Sequence, residues 1–395
     1  MCPTVQSRSS RWSALTAPAA ALALGLLILT TACGGTSTGS GQLINLGGFA
    51  ASTGALNAFG LYEQQGMELA VKDINDAGGV LGRKLNLTYE DTASDKTQAQ
   101  SIMQNFVSDS SIVAVVGPTS SAEAFAADPA AMTAKLPVIA ISDNSDGVPQ
   151  IGPYLHRISI AEAPLDAGVV DQTLNALNYK KVAIMYAQTD PFATSGFKAF
   201  QAELQKQKVT ITEVVPYDPT NPDLTPQLRK IKGENPDAVF VAAYGDDGAT
   251  ILRQAAQVGL KVPFIGNAAF NSPKLIAAAG DAANGLIIGT QWDASDNSGN
   301  NGKFLSEYKK AYNRDAGNFA AMAYNGVYLV KMAIEKSGDA SRAGVQKGFL
   351  ELDGYTLLGS PVKFVDIGNG LRDSASEKPI MLQVQNGTLQ PMKVS

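Results

Sequence analysis

Residues 66–82 read GMELAVKDINDAGGVLG, and the spacing inside this stretch decides the fold class. Met67, Ala70, Val71 and Ile74 recur at i, i+3, i+4 and i+7, the period of a helix with one apolar face. Gly78-Gly79 then stops that helix, because consecutive glycines favour backbone conformations that a helix excludes. The spacing predicts a helix over 60–77. Upstream, residues 44–48 form a short apolar strand. Downstream, Leu85, Leu87 and Tyr89 alternate with polar residues as a strand does. Strand, helix, turn and strand in that order make a βαβ unit.

The unit recurs along the chain. Ala99, Ile102, Met103, Phe106 and Val107 share one face of a helix predicted over 95–109. Residues 112–116 are wholly apolar, as a strand buried on both faces must be. A helix over 122–134 and a strand over 138–141 follow. A second series begins after Arg157. Strands over 182–186, 209–215, 238–243 and 264–265 alternate with helices over 195–206, 224–232 and 248–258. A strand over 285–290 and helices over 302–313 and 320–336 come next. The end of the chain differs: strands over 380–384 and 389–393 meet at Asn386-Gly387, a hairpin signal. Repeated βα units predict parallel sheets with helices on both faces. About ten such units exceed one open sheet of ordinary size, so the expectation is two sheets. Ligands in such sheets sit at the carboxyl ends of the strands, and two lobes put two such edges around one cleft.

Composition narrows the function. The chain has 395 residues, 45% hydrophobic and 17% charged, which suffices for two domains with their own cores. A net charge of −5 offers no basic surplus for nucleic acid. One histidine and two cysteines leave little material for a histidine triad or a zinc site, and no metal or cofactor is expected. At the start, Arg8 and Arg11 precede an apolar run from Ala14 to Leu29, then Leu29-Thr30-Thr31-Ala32-Cys33-Gly34. That is the order of a secretory signal, and the run is short for a span of ~20 residues. A cysteine directly after small residues resembles a bacterial lipobox, which implies that Cys33 becomes the lipidated first residue. The other reading is a plain signal with an incidental cysteine. Loss of residues 1–32 removes two basic residues and no acid, so the net charge goes from −5 to −7. Cys2 leaves with the signal, which rules out an intrachain disulfide. Residues 33–42 read as a lipidated flexible tether, its Gly34 to Gln42 portion spanning roughly 15–18 Å as a random coil. No later segment has 18 uninterrupted apolar residues.

Several segments together resemble one family, the bacterial periplasmic binding proteins for branched-chain amino acids and related solutes. Gly66-x3-Ala70-Val71-x2-Ile74-Asn75-x2-Gly78-Gly79-x2-Gly82 is similar to the family's helix-and-turn signature. Asp91 and Asp95 match its next segment, and Val116-Gly117-Pro118-Thr119-Ser120-Ser121 resembles its first ligand loop. Leu136-Pro137-Val138-Ile139, Lys181-Val182-Ala183-Ile184, Asp237-Ala238-Val239-Phe240 and Ile251-Leu252-Arg253-Gln254-Ala255 follow in order, so that the resemblance runs from about Ile44 to Tyr328. It implies the type I fold: α/β, two doubly wound parallel-sheet lobes joined by three crossovers, closing as a hinge. Crossings near 160, 290 and 376 would divide the chain into 43–160 plus 291–376 and 161–290 plus 377–395. The resemblance also implies a monomer anchored outside the cell membrane by its lipid. It would bind a small molecule and serve ABC permease and ATPase subunits.

The resemblance names ligand residues. Ser120 and Ser121 stand between an apolar strand and a helix, where hydroxyls and helix amides receive a carboxylate; a helix N-cap is the plainer role. Ser121 matches a ligand-binding serine of the family. Ser142-Asp143-Asn144 matches a second loop in which Asp143 replaces a small neutral residue. Either Asp143 points away from a ligand carboxylate, or the ligand is positively charged there. An Asx-turn is the third possibility. Phe59, Phe192 and Tyr244 match aromatics that cover the ligand, against a plain core role. The family's amino-acid binders place an acid where Ala268 stands here. An ammonium partner must then be Asp143, Glu162, Asp246 or Asp247, or the ligand is an aromatic acid or amide without one. The family's first-lobe disulfide is missing, its positions matching Ala93 and Ser120. Two other functions were open: a ligand sensor working with a separate receptor, and a hydrolase with Ser121 as nucleophile, for which His156 would have to be the base.

Overall fold

The computed structural model describes residues 42–375 and 378–392. Cys33 and the rest of the predicted signal and tether up to residue 41 lie outside them. The first βαβ unit is β1 (Ile44–Ala50), α1 (Asn57–Asp76) and β2 (Leu85–Asp91). Then come α2 (Lys96–Ser108), β3 (Ile112–Val116), α3 (Ser121–Thr133), β4 (Val138–Ala140) and β5 (Leu155–Arg157). These strands form a five-stranded parallel sheet in the order β2-β1-β3-β4-β5. The chain then passes to a second sheet through α4 (Glu162–Leu177), β6 (Lys181–Ala187), α5 (Pro191–Lys206), β7 (Thr210–Tyr217) and α6 (Thr225–Gly233). It continues through β8 (Ala238–Ala242), α7 (Gly245–Val258), β9 (Phe264–Gly266), α8 (Pro273–Ala279) and β10 (Ile287–Thr290).

Three helices return to the first sheet: α9 (Gly299–Tyr312), α10 (Asn318–Ser337) and α11 (Arg342–Leu350), with α10 packed along α1 and α11 against β3. A small antiparallel sheet follows, of β11 (Gly354–Tyr355), β12 (Val362–Gly368) and β13 (Leu371–Ala375). Finally β14 (Ile380–Gln385) and β15 (Thr388–Pro391) add an antiparallel edge to the second sheet, whose order is β15-β14-β10-β9-β8-β6-β7. The turn between them has Asn386 at φ 51° and Gly387 at φ 75°, the double left-handed geometry that an Asn-Gly hairpin favours.

The fold class is therefore the expected α/β arrangement of mostly parallel, doubly wound sheets. The apolar strands show why. Along β8, Ala238, Phe240 and Ala242 join the core under α4 and α5, while Val239 and Val241 join the core under α6 and α7. Along β3, Ala114 and Val116 pack toward α1 and α10, while Ile112 and Val115 pack toward α2 and α3. A strand with helices on both sides has no wet face, so every position is apolar.

Sequence reading missed α4, α8, α11 and the sheet β11–β13. Helix α4 holds Pro164 and Gly168, which interrupt its periodic signal. Helices α8 and α11 have 7 and 9 residues, about two turns. Strand β12 is mostly exposed and pairs with a two-residue partner, which leaves almost no alternation to read.

Gly66 has a packing role beyond the pattern. A Cβ there would strike the backbone carbonyl of Ala320, so only glycine lets α1 lie this close to α10. Gly79, at φ +85°, holds the turn after α1 against the carbonyl of Arg83. Gly66→Val is expected to push α1 off α10 and destabilise the first lobe by about 1–3 kcal/mol. Thermal unfolding followed by circular dichroism measures this, with Lys72→Ala on the exposed face of the same helix as a control that leaves the midpoint unchanged. An equal midpoint for Gly66→Val and wild type would show that the helices have room to spare.

Candidate functional site

The loops that follow β3 and β4 face those that follow β8 and β9, and a cavity lies between them. The first sheet contributes Thr119, Ser142 and Asn144. The second contributes Phe192, Tyr244 and Ala268. Leu165 of α4 and Phe319 of α10 complete opposite walls. Direct contacts span the same gap. The Asp146 N–H donates to Ser195 Oγ at 3.2 Å, and Lys274 Nζ donates to Asn57 Oδ1 at 3.0 Å. Aromatic rings meet there too: Phe59 lies 5.7 Å from Tyr244 and 4.5 Å from Phe319, and Phe192 stacks on Tyr244 at 5.1 Å.

The two serines after β3 are both committed within the fold. Ser120 caps α3: its Oγ accepts from the Glu123 N–H, and the Glu123 carboxylate accepts from the Ser120 N–H at 3.0 Å. Ser121 Oγ accepts from the Ser145 N–H at 3.3 Å, and its side chain does not line the cavity. Thr119, one residue earlier than the expected pair, lines it instead. A strand end presents its last residues to the cleft and turns the next into the helix, so the count from strand to helix decides which hydroxyl faces a ligand.

Ser142 and Asn144 line the cavity, as expected of that loop, while Asp143 points away from it. Its carboxyl is fully buried, with no hydrogen-bond partner for either oxygen. Burial, followed by the fields of Asp128, Glu63 and Glu123, pushes its pKa well above the ordinary carboxylate value. Of the aromatics, Phe192 and Tyr244 reach the cavity, and Phe59 is buried behind Tyr244. Asp247 accepts a hydrogen bond from the Tyr217 hydroxyl at 2.9 Å and does not line the cavity. Burial raises its pKa to about 6. His156 is no base for Ser121. Its ring stacks on Phe349 at 4.3 Å and bonds Gln346 at 2.7 Å, and burial lowers its pKa to about 4.

One residue that sequence reading missed organises the first-lobe side. Glu63, on α1, is fully buried and accepts from the hydroxyls of Thr119 and of Ser142, the latter at 2.5 Å. Burial raises its pKa to about 8 against the opposing effect of those hydrogen bonds. It precedes Met67, Ala70 and Ile74 by four, seven and eleven residues, so an acid on the apolar face of α1 was the signal in the sequence. No lining side chain is Asp, Glu, Lys, Arg or His. The carboxyl groups stand one layer behind: after burial, Asp190, Glu123, Asp143 and Glu162 each raise the pKa of the Tyr244 hydroxyl. Among the described residues no group of His, Cys, Asp and Glu is arranged to hold a metal ion.

The family described as "Periplasmic binding protein" matches residues 43–376. The Leu/Ile/Val-binding protein homolog 3 of Brucella melitensis is 26% identical over 296 residues, which is 75% of this chain and 79% of that protein. The leucine-, isoleucine-, valine-, threonine-, and alanine-binding protein of Pseudomonas aeruginosa is 28% identical over 296 residues, covering 73% of this chain and 77% of its own. Among solved structures, the branched-chain amino acid transporter substrate binding protein LivJ of Streptococcus pneumoniae, in complex with isoleucine, superposes with a TM-score of 0.82. It is 26% identical and covers 90% of this chain and 99% of its own.

Glu63 makes stability depend on pH. Its folded-state pKa, about 8, lies above the ordinary value, so the folded chain holds a proton that the unfolded chain releases. That contribution is complete below the ordinary carboxylate value and is lost as pH rises through about 8. His156 acts oppositely, losing its contribution as pH falls from 6.5 to about 4. Glu63→Gln is therefore expected to gain on wild type between pH 5 and 8, by at most about 1.4 kcal/mol per pH unit. Calorimetric melting across that range measures it, and a gap independent of pH would mean that Glu63 is ionised in the fold.

Proposed function

We propose, because the chain belongs to the periplasmic binding protein family, that it is the extracytoplasmic substrate-binding component of an ABC transporter for an amino acid or related small carboxylate. The observation that carries this reading is the cavity between the strand ends of two sheets, walled by residues from both. A solute held there bridges the lobes, so binding favours the closed arrangement by its extra contacts in that state. Closure turns on the three passages of chain between the sheets, with 43–160 plus 291–376 on one side and 161–290 plus 377–395 on the other. Bound solute leaves to a permease when the lobes part. No bond is made or broken.

The neutral Glu63 supports carboxylate capture. The hydroxyls of Thr119 and Ser142 both donate to an ionised Glu63; once Glu63 is protonated, its O–H donates to one of them instead, which frees that hydroxyl to donate into the cavity. Both residues line it. An apolar ligand side chain then rests on Phe192, Tyr244 and Phe319. The protein works as a monomer tethered at Cys33, with the lipid holding it beside its permease.

An amino acid is expected to raise the melting temperature, since a ligand at 100 times its Kd stabilises the fold by about 2.7 kcal/mol. A thermal-shift panel of amino acids, aromatic acids, amides and polyamines tests this. A shift from an aromatic acid alone would replace the ligand class. Tyr244→Ala is expected to weaken binding about tenfold or more without unfolding the chain, and unchanged affinity by calorimetry would move the site elsewhere. Mass spectrometry of native protein should find lipid on Cys33; an unmodified start further along the chain would refute the anchor.

A further inference from the structure

Glu162 opens α4, and its carboxyl is wholly buried with no hydrogen-bond partner for either oxygen among the described residues. Its main-chain N–H donates to the Asn144 carbonyl at 2.9 Å. Ser159 before it and Leu165 after it both line the cavity, so the residue sits directly behind the wall. Beside its carboxyl stand Asn144, Asn267 and Asp166. Asn267 is fully buried, and neither its oxygen nor its amide nitrogen has a partner. Asn144 Oδ1 has none either. Gly196 of α5 leaves room next to the pair: a Cβ at that position would stand 3.1 Å from Asp166 Oδ2 and 3.2 Å from Glu162 Oε1. Arg157, the nearest guanidinium, is committed to Asp373 and to the carbonyls of Asp143 and Ser145.

The result is a buried carboxyl and two amide side chains at and just behind the cavity wall, with no free cation beside them among the described residues to meet the carboxyl and the two unpaired amide oxygens. A buried carboxylate without a partner costs several kcal/mol, and an unpaired buried amide adds to that. What answers all of them is one positively charged group with several N–H bonds. An ammonium has three, enough for a Glu162 oxygen and the amide oxygens of Asn144 and Asn267.

We propose that Glu162, assisted by Asn144 and Asn267, receives the ammonium group of a primary-amine ligand in the cleft. The proposal rests on the binding reading above and names its ligand class: an amino acid rather than an aromatic acid or an amide. It moves the ammonium partner from Ala268, which follows Asn267 directly, to the neighbouring start of α4 on the same side of the cleft.

The test is isothermal titration of wild type and Glu162→Gln with L-leucine and L-phenylalanine. Their amine-free acids, 4-methylpentanoate and 3-phenylpropanoate, are the comparison ligands. Wild type is expected to bind an amino acid about 100-fold or more tighter than its amine-free acid. Glu162→Gln keeps the side-chain shape and should lose about tenfold or more for the amino acid, with the amine-free acid affected by less than about threefold. Equal amino-acid affinity in the two proteins, or wild type favouring an amine-free acid, overturns the ammonium site and leaves the transport reading standing. Binding of none of the four probes by wild type overturns both. Should Glu162→Gln fail to melt cooperatively, the wild-type ratio of amino acid to amine-free acid decides alone.

Discussion

Arg157 is the only Lys or Arg side chain buried among the described residues, against eight buried carboxyl groups. Its Nε and Nη2 grip the Asp373 carboxylate at 2.8 and 2.6 Å, and its Nη1 donates to the carbonyls of Asp143 and Ser145 at 3.3 and 2.8 Å. One side chain thus joins three parts of the chain: the end of β5, the loop that supplies Ser142 and Asn144, and β13. The forked geometry suits a bidentate hold, which fixes orientation as well as distance. A buried ion pair of this kind adds little net stability over an apolar contact, but losing one partner leaves a bare buried charge. Its value here is positional. The loop that lines the cavity is pinned at the point where the chain leaves the first sheet.

The shortage of buried cations explains how the other carboxyls are treated. Glu123 is spent on the capping box of α3 and on the Thr92 hydroxyl at 2.5 Å. Glu63 is satisfied by two hydroxyls and kept protonated by burial. Asp143 has no partner, and burial raises its pKa well above the ordinary value. Glu162 and Asp166 face each other: burial raises the pKa of Glu162 to about 8, and burial together with the Glu162 carboxyl raises that of Asp166 well above the ordinary value. The wall of the cavity carries no Asp, Glu, Lys, Arg or His side chain, and the buried carboxyl groups gather behind it.

Much of this was legible in the sequence, and the reason is local. Periods of 3.6 and 2 depend on neighbours within one turn or one strand, so the helices at 60–77 and 95–109 and the strand at 112–116 were readable within a few residues. The double glycine at Gly78-Gly79 and the Asn386-Gly387 turn encode their geometry in the residues themselves. Tyr244 was singled out by its match to the family together with its position just past the end of β8, and it lines the cavity.

The direction of each side chain in the loops was not legible, because it depends on contacts between distant residues. Ser121 and Thr119 differ by two positions, yet Thr119 lines the cavity while Ser121 Oγ accepts from the Ser145 N–H. Asp247 was claimed by Tyr217, thirty residues earlier in the chain. Glu63 meets Ser142 across a separation of 79 residues, and no spacing rule reaches that far. The sequence by itself determined the alternation of strands and helices, because backbone preference and apolar period act within a few residues. The tertiary structure alone decided which hydroxyls face the ligand and which buried acids remain without partners, because burial and pairing are set where separate segments meet.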